Sequence, residues 1–247
     1  MMLAQLKRAW HVTVKDMRTY YLKPPLISWG MLFPAVMILA FYMRDPSNIR
    51  SIAPGLIGMT MLFAATSMEA VVIAFEKRIG AMERLLLAPV SPAALVIGKS
   101  ASGALFGTAT GCLVWIISSV VWDLPLAAGG VVLTVVLGSV TFSLLGVLIS
   151  LVVREVFDAM TLSNFFRFPM VFLCGVFAPL STMAPPLRVV AGVLPLTYTV
   201  DALRHLLLSG ACTHFTLAVD LSVSALFAVM LYLAALGLMN HRLEDLL

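Results

Sequence analysis

Long apolar stretches separated by short polar connections occupy most of this chain. Six of them are long enough to cross the hydrocarbon core of a bilayer as α-helices, which rise ~1.5 Å per residue. They lie at residues 26–43, 52–75, 100–121, 126–153, 162–180 and 215–239. The pattern predicts an all-α integral membrane protein of six transmembrane helices, and the short connections at 44–51 and 122–125 make the helices they join antiparallel.

Residues 1–23 have an amphipathic pattern instead. Apolar side chains recur at helical spacing along one stripe: Leu3, Leu6, Trp10, Val14, Met17 and Tyr21. Basic side chains fall on the opposite side: Lys7, Arg8, His11, Lys15 and Arg18. The pattern favours an interfacial helix with its stripe in the acyl boundary and its basic face toward anionic headgroups. The alternative is an ordinary amphipathic helix that packs on protein; in either case Pro24 and Pro25 end it before the first span.

The placement of lysine and arginine predicts the orientation in the membrane. One side receives Lys7, Arg8, Lys15, Arg18, Lys23, Lys77, Arg78, Arg84, Lys99, Arg154 and Arg242. The other side receives only Arg44, Arg50, Arg188 and Arg204. By the positive-inside rule both termini face the cytoplasm, which agrees with an even number of spans.

Residues 181–214 form an unusual connection on the outer side. Pro185, Pro186 and Pro195 divide it into semi-apolar pieces, 187–194 and 198–208, each too short to span. Short apolar helices interrupted by prolines indicate a re-entrant hairpin, because irregular backbone inside a membrane must be covered by protein.

Composition agrees with a membrane protein and gives no support to an enzyme. Hydrophobic residues make up 61% of the chain and charged residues only 11%, far less charge than a soluble domain carries. We find no HExxH, no GxSxG and no carboxylates at metal spacing, so we predict no catalytic residue, metal site or cofactor in this chain. Gly98-Lys99-Ser100 resembles the end of a phosphate-binding loop, but Ala93 stands where that loop needs a glycine.

The most informative segment connects the second and third spans. Its sequence is Glu76-Lys-Arg78-Ile-Gly80-Ala-Met-Glu83-Arg84-Leu-Leu86-Leu-Ala-Pro89-Val-Ser91. It predicts a charge cluster, a turn at Gly80 and a short amphipathic helix that stops at Pro89. Such a helix on the cytosolic side is suited to docking into a groove of a soluble partner. The alternative is a polar loop that only caps two helices.

Two motifs resemble the permease subunits of ABC-2 type ATP-binding-cassette exporters. The second cytoplasmic connection of that family has the form E-x-x-x-G-x-x-E-R-L-L-x-x-P-V-S, which residues 76–91 match. A second similarity runs from the fifth span through the hairpin and includes Pro179, Pro185, Pro195, Tyr198 and Arg204. The resemblance covers the chain as one transmembrane domain: interfacial helix 1–23, spans 26–75, coupling region 76–92, spans 93–180, hairpin 181–214, and last span and cytosolic tail 215–247.

The resemblance implies partners, location and site residues. Members of this family pair two permease chains with two separate ATPase subunits, which bind ATP and magnesium. We therefore expect an ATPase dimer, a second and identical permease chain, a bacterial or archaeal cytoplasmic membrane, and no nucleic acid. Coupling to the ATPase would involve Glu76, Arg78, Gly80, Glu83, Arg84, Leu86 and Pro89. The hairpin would close the outer end of the pathway through Pro179, Pro185, Pro195, Tyr198 and Arg204, unless it is a lid without gating.

Two charges inside the predicted spans depart from the family pattern. Glu69 lies about six residues, or roughly 9 Å, inside the cytosolic end of the second span, and Arg167 lies at a comparable depth in the fifth. An isolated charge there costs about 2.5–3.5 kcal/mol, so each needs a partner or access to water. Our hypothesis is that they pair with each other or line a polar vestibule; the alternative is that both reach the interface.

Gly103, Gly107 and Gly111 place a small residue every fourth position on the third span. This spacing lets another helix approach closely. We expect packing within the protomer, and a dimer seam is the alternative.

The favoured function is a permease that exports an amphiphile such as a drug, lipid or glycolipid. The nearest alternative exports a polysaccharide or lipid-linked glycan. That alternative would favour an aromatic-lined channel, and the spans show no concentrated aromatic patch. An alternative of a different class is a membrane channel or scaffold without an ATPase partner.

Overall fold

The computed structural model describes residues 2–21, 24–44, 49–125, 128–153, 155–208 and 213–244. Within these ranges every regular element is helical. The first half comprises α1 (Met2–Asp16), a π-helical turn (Met17–Tyr21), α2 (Pro24–Arg44), α3 (Ile49–Arg78), α4 (Ala81–Leu87) and α5 (Pro92–Trp122). The second half comprises α6 (Ala128–Val152), α7 (Val156–Leu173), a 3-10 turn (Leu180–Thr182), α8 (Pro185–Gly192), α9 (Pro195–Leu207) and α10 (Leu217–Glu244).

Four helices in the described ranges are long and apolar enough to cross a membrane. They are α3, α5, α6 and α10. The predicted first and fifth spans correspond to α2 and α7, of which α7 has 18 residues and is therefore about 27 Å long. The all-helical fold predicted from the sequence is confirmed for these ranges.

Helix α3 is the centre of the bundle. Nearly all of its side chains between residues 52 and 74 are buried, and it contacts α2, α4, α5, α6, α7 and α9. Its apolar side chains, among them Leu56, Ile57 and Met61, form the main hydrophobic core with residues from the surrounding helices. Because α3 runs directly into the α3–α4 turn, its position ties the connection between α3 and α5 to the whole bundle.

Small residues allow α5 and α6 to pack closely against α3. A Cβ on Gly103 would lie 2.5 Å from Ser143 Oγ on α6 and 2.6 Å from Glu69 Cγ on α3. Gly107 and Gly111 similarly face α3 and α6, at Ala65, Ser139, Met61 and Val135. The expectation that the glycine run packs within the protomer is confirmed.

Two predicted helix boundaries are wrong. The third span was expected to begin at Ser100, yet α5 begins at Pro92, because Lys99 is buried with its charge paired and does not end the helix. The fifth span was expected at 162–180, yet α7 ends at Leu173. Gly175 follows with φ of 78°, a left-handed conformation that takes the chain out of the helix.

We predict that Gly103→Ala destabilises the fold. The added methyl group overlaps Glu69 and Ser143, and overpacking of this kind costs about 1–3 kcal/mol. The apparent melting temperature of the purified protein in detergent should fall. Gly237→Ala on α10 is the matched control, since a Cβ there meets no atom within 4 Å. Equal melting temperatures for the two variants would contradict this account of the packing.

Candidate functional site

Helix α1 has three distinct faces. Ala9, Val12 and Thr13 are buried against α5, and Thr13 Oγ1 donates a hydrogen bond of 2.8 Å to the carbonyl of Gly98. The second face is apolar and exposed and carries Leu3, Leu6 and Trp10. The third face is basic and carries Lys7 and His11. Both sequence-based interpretations therefore describe part of this helix. It packs on protein through one face and leaves an apolar stripe uncovered.

The π-helical turn changes the end of the predicted stripe. Tyr21 was expected on the apolar face beside Trp10, but it is fully buried and its ring lies 5.5 Å from that of Phe106. A π-helical turn holds more residues than an α-helical one, so it rotates the residues that follow it. Tyr21 is thereby directed into the bundle.

Four charged side chains join α1 to the C-terminal end of α3 and the N-terminal part of α5. Lys99 of α5 donates to Asp16 Oδ2 of α1 at 2.8 Å and also pairs with Glu76 of α3. Lys15 pairs with Glu76 as well and lies 2.9 Å from Asp16 Oδ1. The side chains of Asp16, Glu76 and Lys99 are each 0% exposed. We call these four residues the charge cluster; two cations and two anions make it neutral overall.

Burial and pairing act in opposite directions on the ionisation of the α1 members of the cluster. Burial raises the pKa of Asp16 above its ordinary value, although the Lys99 charge opposes this. Burial lowers the pKa of Lys15, but its hydrogen bond to Glu76 and the Asp16 charge outweigh that effect and raise the pKa above its ordinary value. Lys15 therefore stays a cation across the physiological range.

Glu69 lies farther into the bundle and has a separate set of partners. Its Oε1 accepts hydrogen bonds from Tyr21 Oη at 2.6 Å, Ser102 Oγ at 2.8 Å and the Gly103 backbone N–H at 3.0 Å. These donors come from the π-helical turn and from α5. Glu69 therefore fixes the chain that follows α1 to the membrane-spanning bundle.

Arg167 does not pair with Glu69, so the predicted direct pair is not formed. Arg167 lies on α7 and donates to Ser67 Oγ and, at 3.1 Å, to the Ser163 carbonyl. Ser67 and Glu69 are two residues apart on α3, which places their side chains on nearly opposite sides of the helix. Glu69 faces α5 and Arg167 faces α3 from α7; the polar vestibule remains a prediction.

The predicted coupling helix is present as α4. Gly80 precedes it with φ of 69°, a left-handed conformation that favours glycine, so the predicted turn lies where expected. Met82 is buried against the bundle, whereas Arg78, Ile79 and Arg84 are exposed. Glu83 and Leu86 lie on α4, but their side chains are outside the described part of the structure. Ile79, which was not selected from the sequence, adds an apolar side chain to this exposed surface.

Helix α1 also bonds directly to the segment that follows α4. Arg8 donates to the carbonyl of Pro89, and the backbone N–H of Ser91 donates to Gln5 Oε1 at 3.1 Å. The Ser91 side chain accepts from the Ala94 N–H at 3.2 Å, which caps α5, and Pro92 occupies its first turn. The connection between α4 and α5 is thus bonded both to α1 and to the first turn of α5.

The segment predicted to form a hairpin consists of an exposed helix, α8, and a buried one, α9. Pro185 and Pro195 begin α8 and α9, positions that suit proline because the first N–H groups of a helix have no partner inside it. Tyr198 Oη donates to the Gly192 carbonyl at 2.7 Å, and Arg204 Nη2 donates to the Gly175 carbonyl at 2.8 Å. Pro179 precedes the 3-10 turn. Four of the five predicted hairpin residues therefore begin helices or connect them, and Arg204 anchors α9 to the end of α7.

Helix α7 carries a row of exposed aromatic side chains, contrary to the expectation that the spans lack an aromatic patch. Phe157, Phe165, Phe166, Phe168 and Phe172 are all exposed to a substantial degree. The α7 helix packs mainly on α3, so its other sides remain uncovered among the described residues. We call these five residues the α7 aromatic surface. The sequence pattern failed to show it because the phenylalanines are mixed with apolar residues in one stretch.

The charge cluster also contains residues that sequence reasoning missed. Asp16 is the only acidic residue among the first 44, and it lies in an otherwise basic helix. Lys99 was interpreted as a topology signal and as part of an incomplete phosphate-binding motif, but not as a member of a buried ion pair. Two signals could have revealed the pair. Asp16 is an acidic residue outside the apolar stripe of α1, and Lys99 is a lysine within an apolar run.

The sequence pattern of the ABC-2 type transporter family matches residues 7–208, which include the charge cluster, α4 and the hairpin. The chain belongs to the ABC-2 type transporter family. The resemblance inferred from the two motifs is therefore confirmed. As an ABC-2 permease the chain is a membrane subunit of a transporter, and its apolar helices make it a multi-pass membrane protein.

Three bacterial proteins illustrate what this ABC-2 chain is similar to. Inner membrane transport permease YadH of Escherichia coli (strain K12) is 29% identical over 202 residues, which cover 81% of this chain and 77% of that protein. Nodulation protein J of Bradyrhizobium diazoefficiens is 29% identical over 207 residues, covering 80% and 75%. Probable multidrug ABC transporter permease YbhS of Escherichia coli (strain K12) is 25% identical over 210 residues, covering 83% and 54%.

We predict that Lys99→Met costs about 3 kcal/mol of unfolding free energy, because it leaves two buried carboxylates with one shared cation. The double variant Asp16→Asn/Lys99→Met should recover part of this loss, since Lys15 and Glu76 then balance each other. Unfolding in an SDS titration, followed by tryptophan fluorescence, measures both effects.

Lys7→Met is the matched control for these variants, because Lys7 lies on the exposed face of α1. It should leave the unfolding curve unchanged. A double variant that is less stable than Lys99→Met alone would contradict the view that charge balance holds the cluster together.

Proposed function

We propose that this chain is the permease subunit of an ABC exporter, in which two copies form the substrate pathway and a separate ATPase dimer drives transport. ATP and magnesium belong to that ATPase. The observation that carries the proposal is the contact between α1 and the coupling region, through Arg8 to Pro89 and Gln5 to Ser91. A movement of α4 would reach α1 and α5 together through these bonds.

The exposed part of the α3–α4 connection is suited to docking on the ATPase. Ile79 is 48% exposed between the two exposed arginines Arg78 and Arg84. An apolar side chain flanked by cations fits an acidic groove with an apolar floor. Met82 packs on the other side of α4 against the bundle. A movement of the exposed surface of α4 would therefore move the helices that contact Met82.

For the membrane arrangement we propose six spans, α2, α3, α5, α6, α7 and α10, with both termini in the cytoplasm. In this arrangement α8 and α9 form the re-entrant hairpin on the outer side. Support comes from the deep burial of α9 against α3, α6 and α10, because a short helix inside a membrane needs this kind of cover.

For the substrate we propose an amphiphile such as a drug, lipid or glycolipid. The α7 aromatic surface supports an amphiphile with a large apolar part, and one relative has "multidrug" in its name. The same surface favours a second candidate, a lipid-linked glycan, because aromatic rings also pack against sugar rings. A glycan exporter would favour an aromatic-lined channel, and the α7 aromatic surface supplies exposed aromatic rings.

We predict that Ile79→Asp/Arg84→Glu abolishes association with the partner ATPase while the permease stays folded. Both side chains are exposed, so the bundle keeps its packing, but the docking surface loses its apolar contact and reverses a charge. Co-purification and ATP hydrolysis of the reconstituted complex are the measurements.

Arg188→Glu provides the control, because Arg188 lies on α8 in the outer hairpin and carries the same charge change. It should co-purify with the ATPase as wild type does. If wild-type permease is folded and dimeric yet associates with no ATPase from its own genome, the exporter proposal fails and a channel or scaffold replaces it.

The topology is tested by cysteine accessibility. In a cysteine-free background we predict that Lys7→Cys is protected from a membrane-impermeant maleimide added outside intact cells, whereas Arg50→Cys is labelled. Both positions are exposed, so burial in the protein does not protect either. Labelling of Lys7→Cys in intact cells would refute the cytosolic N-terminus.

A further inference from the structure

Arg167 is a charged side chain on the face of α7 that packs against α3. It is only 5% exposed and lies at the face of α7 that also carries Ala159, Ser163 and Met170. Its guanidinium carbon lies 4.9 Å from the centre of the Phe63 ring on α3, a cation–π contact. All its recorded hydrogen bonds go to neutral acceptors, Ser67 Oγ and the Ser163 carbonyl.

No carboxylate among the described residues pairs with Arg167. Glu69 bonds to donors of α5 and the π-helical turn on the other side of α3. Glu76 belongs to the charge cluster, which is already neutral. A guanidinium has five N–H donors, and two of them are used here, so Arg167 retains both its charge and free donors.

The charge of Arg167 is adjacent to the α7 aromatic surface. The Phe63 ring, over which the guanidinium lies, makes an edge contact with Phe168 at 6.2 Å between centroids. Phe168 is exposed, as are Phe165 and Phe172 on the same helix. One aromatic ring therefore separates a buried, unneutralised cation from an exposed apolar surface of the kind that an acyl chain or aromatic body would cover.

We propose that Arg167 recognises the phosphate or carboxylate group of an anionic amphiphile whose apolar part lies on the α7 aromatic surface. This inference rests on the proposed export function and adds the charge of the substrate to it. An anion at this position would neutralise the guanidinium away from water, where a charge-assisted hydrogen bond is strongest. An arginine that only tied α7 to α3 would need no charge, since its partners are a hydroxyl and a carbonyl.

The test is binding of charge-matched probes to the permease alone, in phosphatidylcholine nanodiscs without ATPase. The probes are a dansyl-labelled dodecyl phosphate and the corresponding dodecyl trimethylammonium, each corrected for binding to empty nanodiscs. Wild type should prefer the phosphate by roughly tenfold or more, the scale of one hydrogen bond to a charged group. Arg167→Gln should remove this preference by weakening binding of the phosphate probe, without weakening binding of the cationic probe, which the Arg167 charge repels.

Three further variants separate recognition from structure. Arg167→Lys keeps the charge and should keep part of the preference, whereas Ser67→Ala removes the α3 contact and should keep nearly all of it. Arg188→Gln removes an arginine from the outer hairpin and should behave as wild type. If Ser67→Ala loses as much of the preference as Arg167→Gln does, the proposal is overturned, and the role of Arg167 is only to hold α7 against α3.

Two outcomes with wild type also decide the matter. No preference for the phosphate probe overturns the proposal. If phosphatidylglycerol in the nanodisc displaces the phosphate probe completely, the anion at Arg167 is a bilayer lipid and the assignment to a transported substrate is overturned. The binding test contains no ATPase. A preference that depends on Arg167 would therefore support anion recognition even if the chain associates with no ATPase, so failure of the export proposal and failure of the Arg167 proposal are distinguishable.

Discussion

Charges removed from water must be neutralised before α1 can pack against the ends of α3 and α5. The charge cluster meets this requirement with Lys99 at its centre, between Asp16 of α1 and Glu76 of α3. A buried ion pair adds little net stability over an apolar contact, but its geometry is specific because every other arrangement leaves a charge unpaired. The cluster therefore fixes where α1 lies more than it strengthens the bundle.

With α1 fixed, the elements around it are connected to one another by hydrogen bonds. The same helix bonds to Pro89 and Ser91 through Arg8 and Gln5, and Glu69 holds the turn that follows it through Tyr21. The surface helix, the connection after α4 and the ends of two spans thus share contacts. In the proposed transporter, a movement of α4 would therefore reach α1 and the ends of these helices through bonds between described residues.

The sequence predicted the elements well and their contacts less well. Apolar length identified the helices, and the glycine and prolines of the coupling segment correctly placed Gly80 and Pro89 at the ends of α4. Lys99 predicted the wrong start for the third helix, because a charge normally ends an apolar run and its neutralisation by Asp16 comes from a helix more than 80 residues away. Partners so distant in sequence cannot be derived from local periodicity.

The partners of Glu69 and Arg167 could not be derived from the sequence either. Both charges were correctly singled out as needing partners, but opposite charges at similar depth suggested a pair that helix geometry prevents. Glu69 and Ser67 lie on nearly opposite sides of α3, so α3 itself separates the two charged side chains. The depth of a residue is readable from the sequence, whereas the side of the helix it faces depends on which neighbours are present.

The π-helical turn at Met17–Tyr21 sets the direction of the side chains that follow α1. Asp16 on one side and Tyr21 on the other are both fully buried and bonded to different helices. A π-helical turn holds one more residue than an α-helical one, so the same residues wound as an ordinary α-helix would rotate Tyr21 away from Glu69 by about 100°. In the evolution of this chain, Asp16 and Tyr21 should therefore be constrained together with the turn between them, while point substitutions at the exposed Arg18 and Thr19 are tolerated.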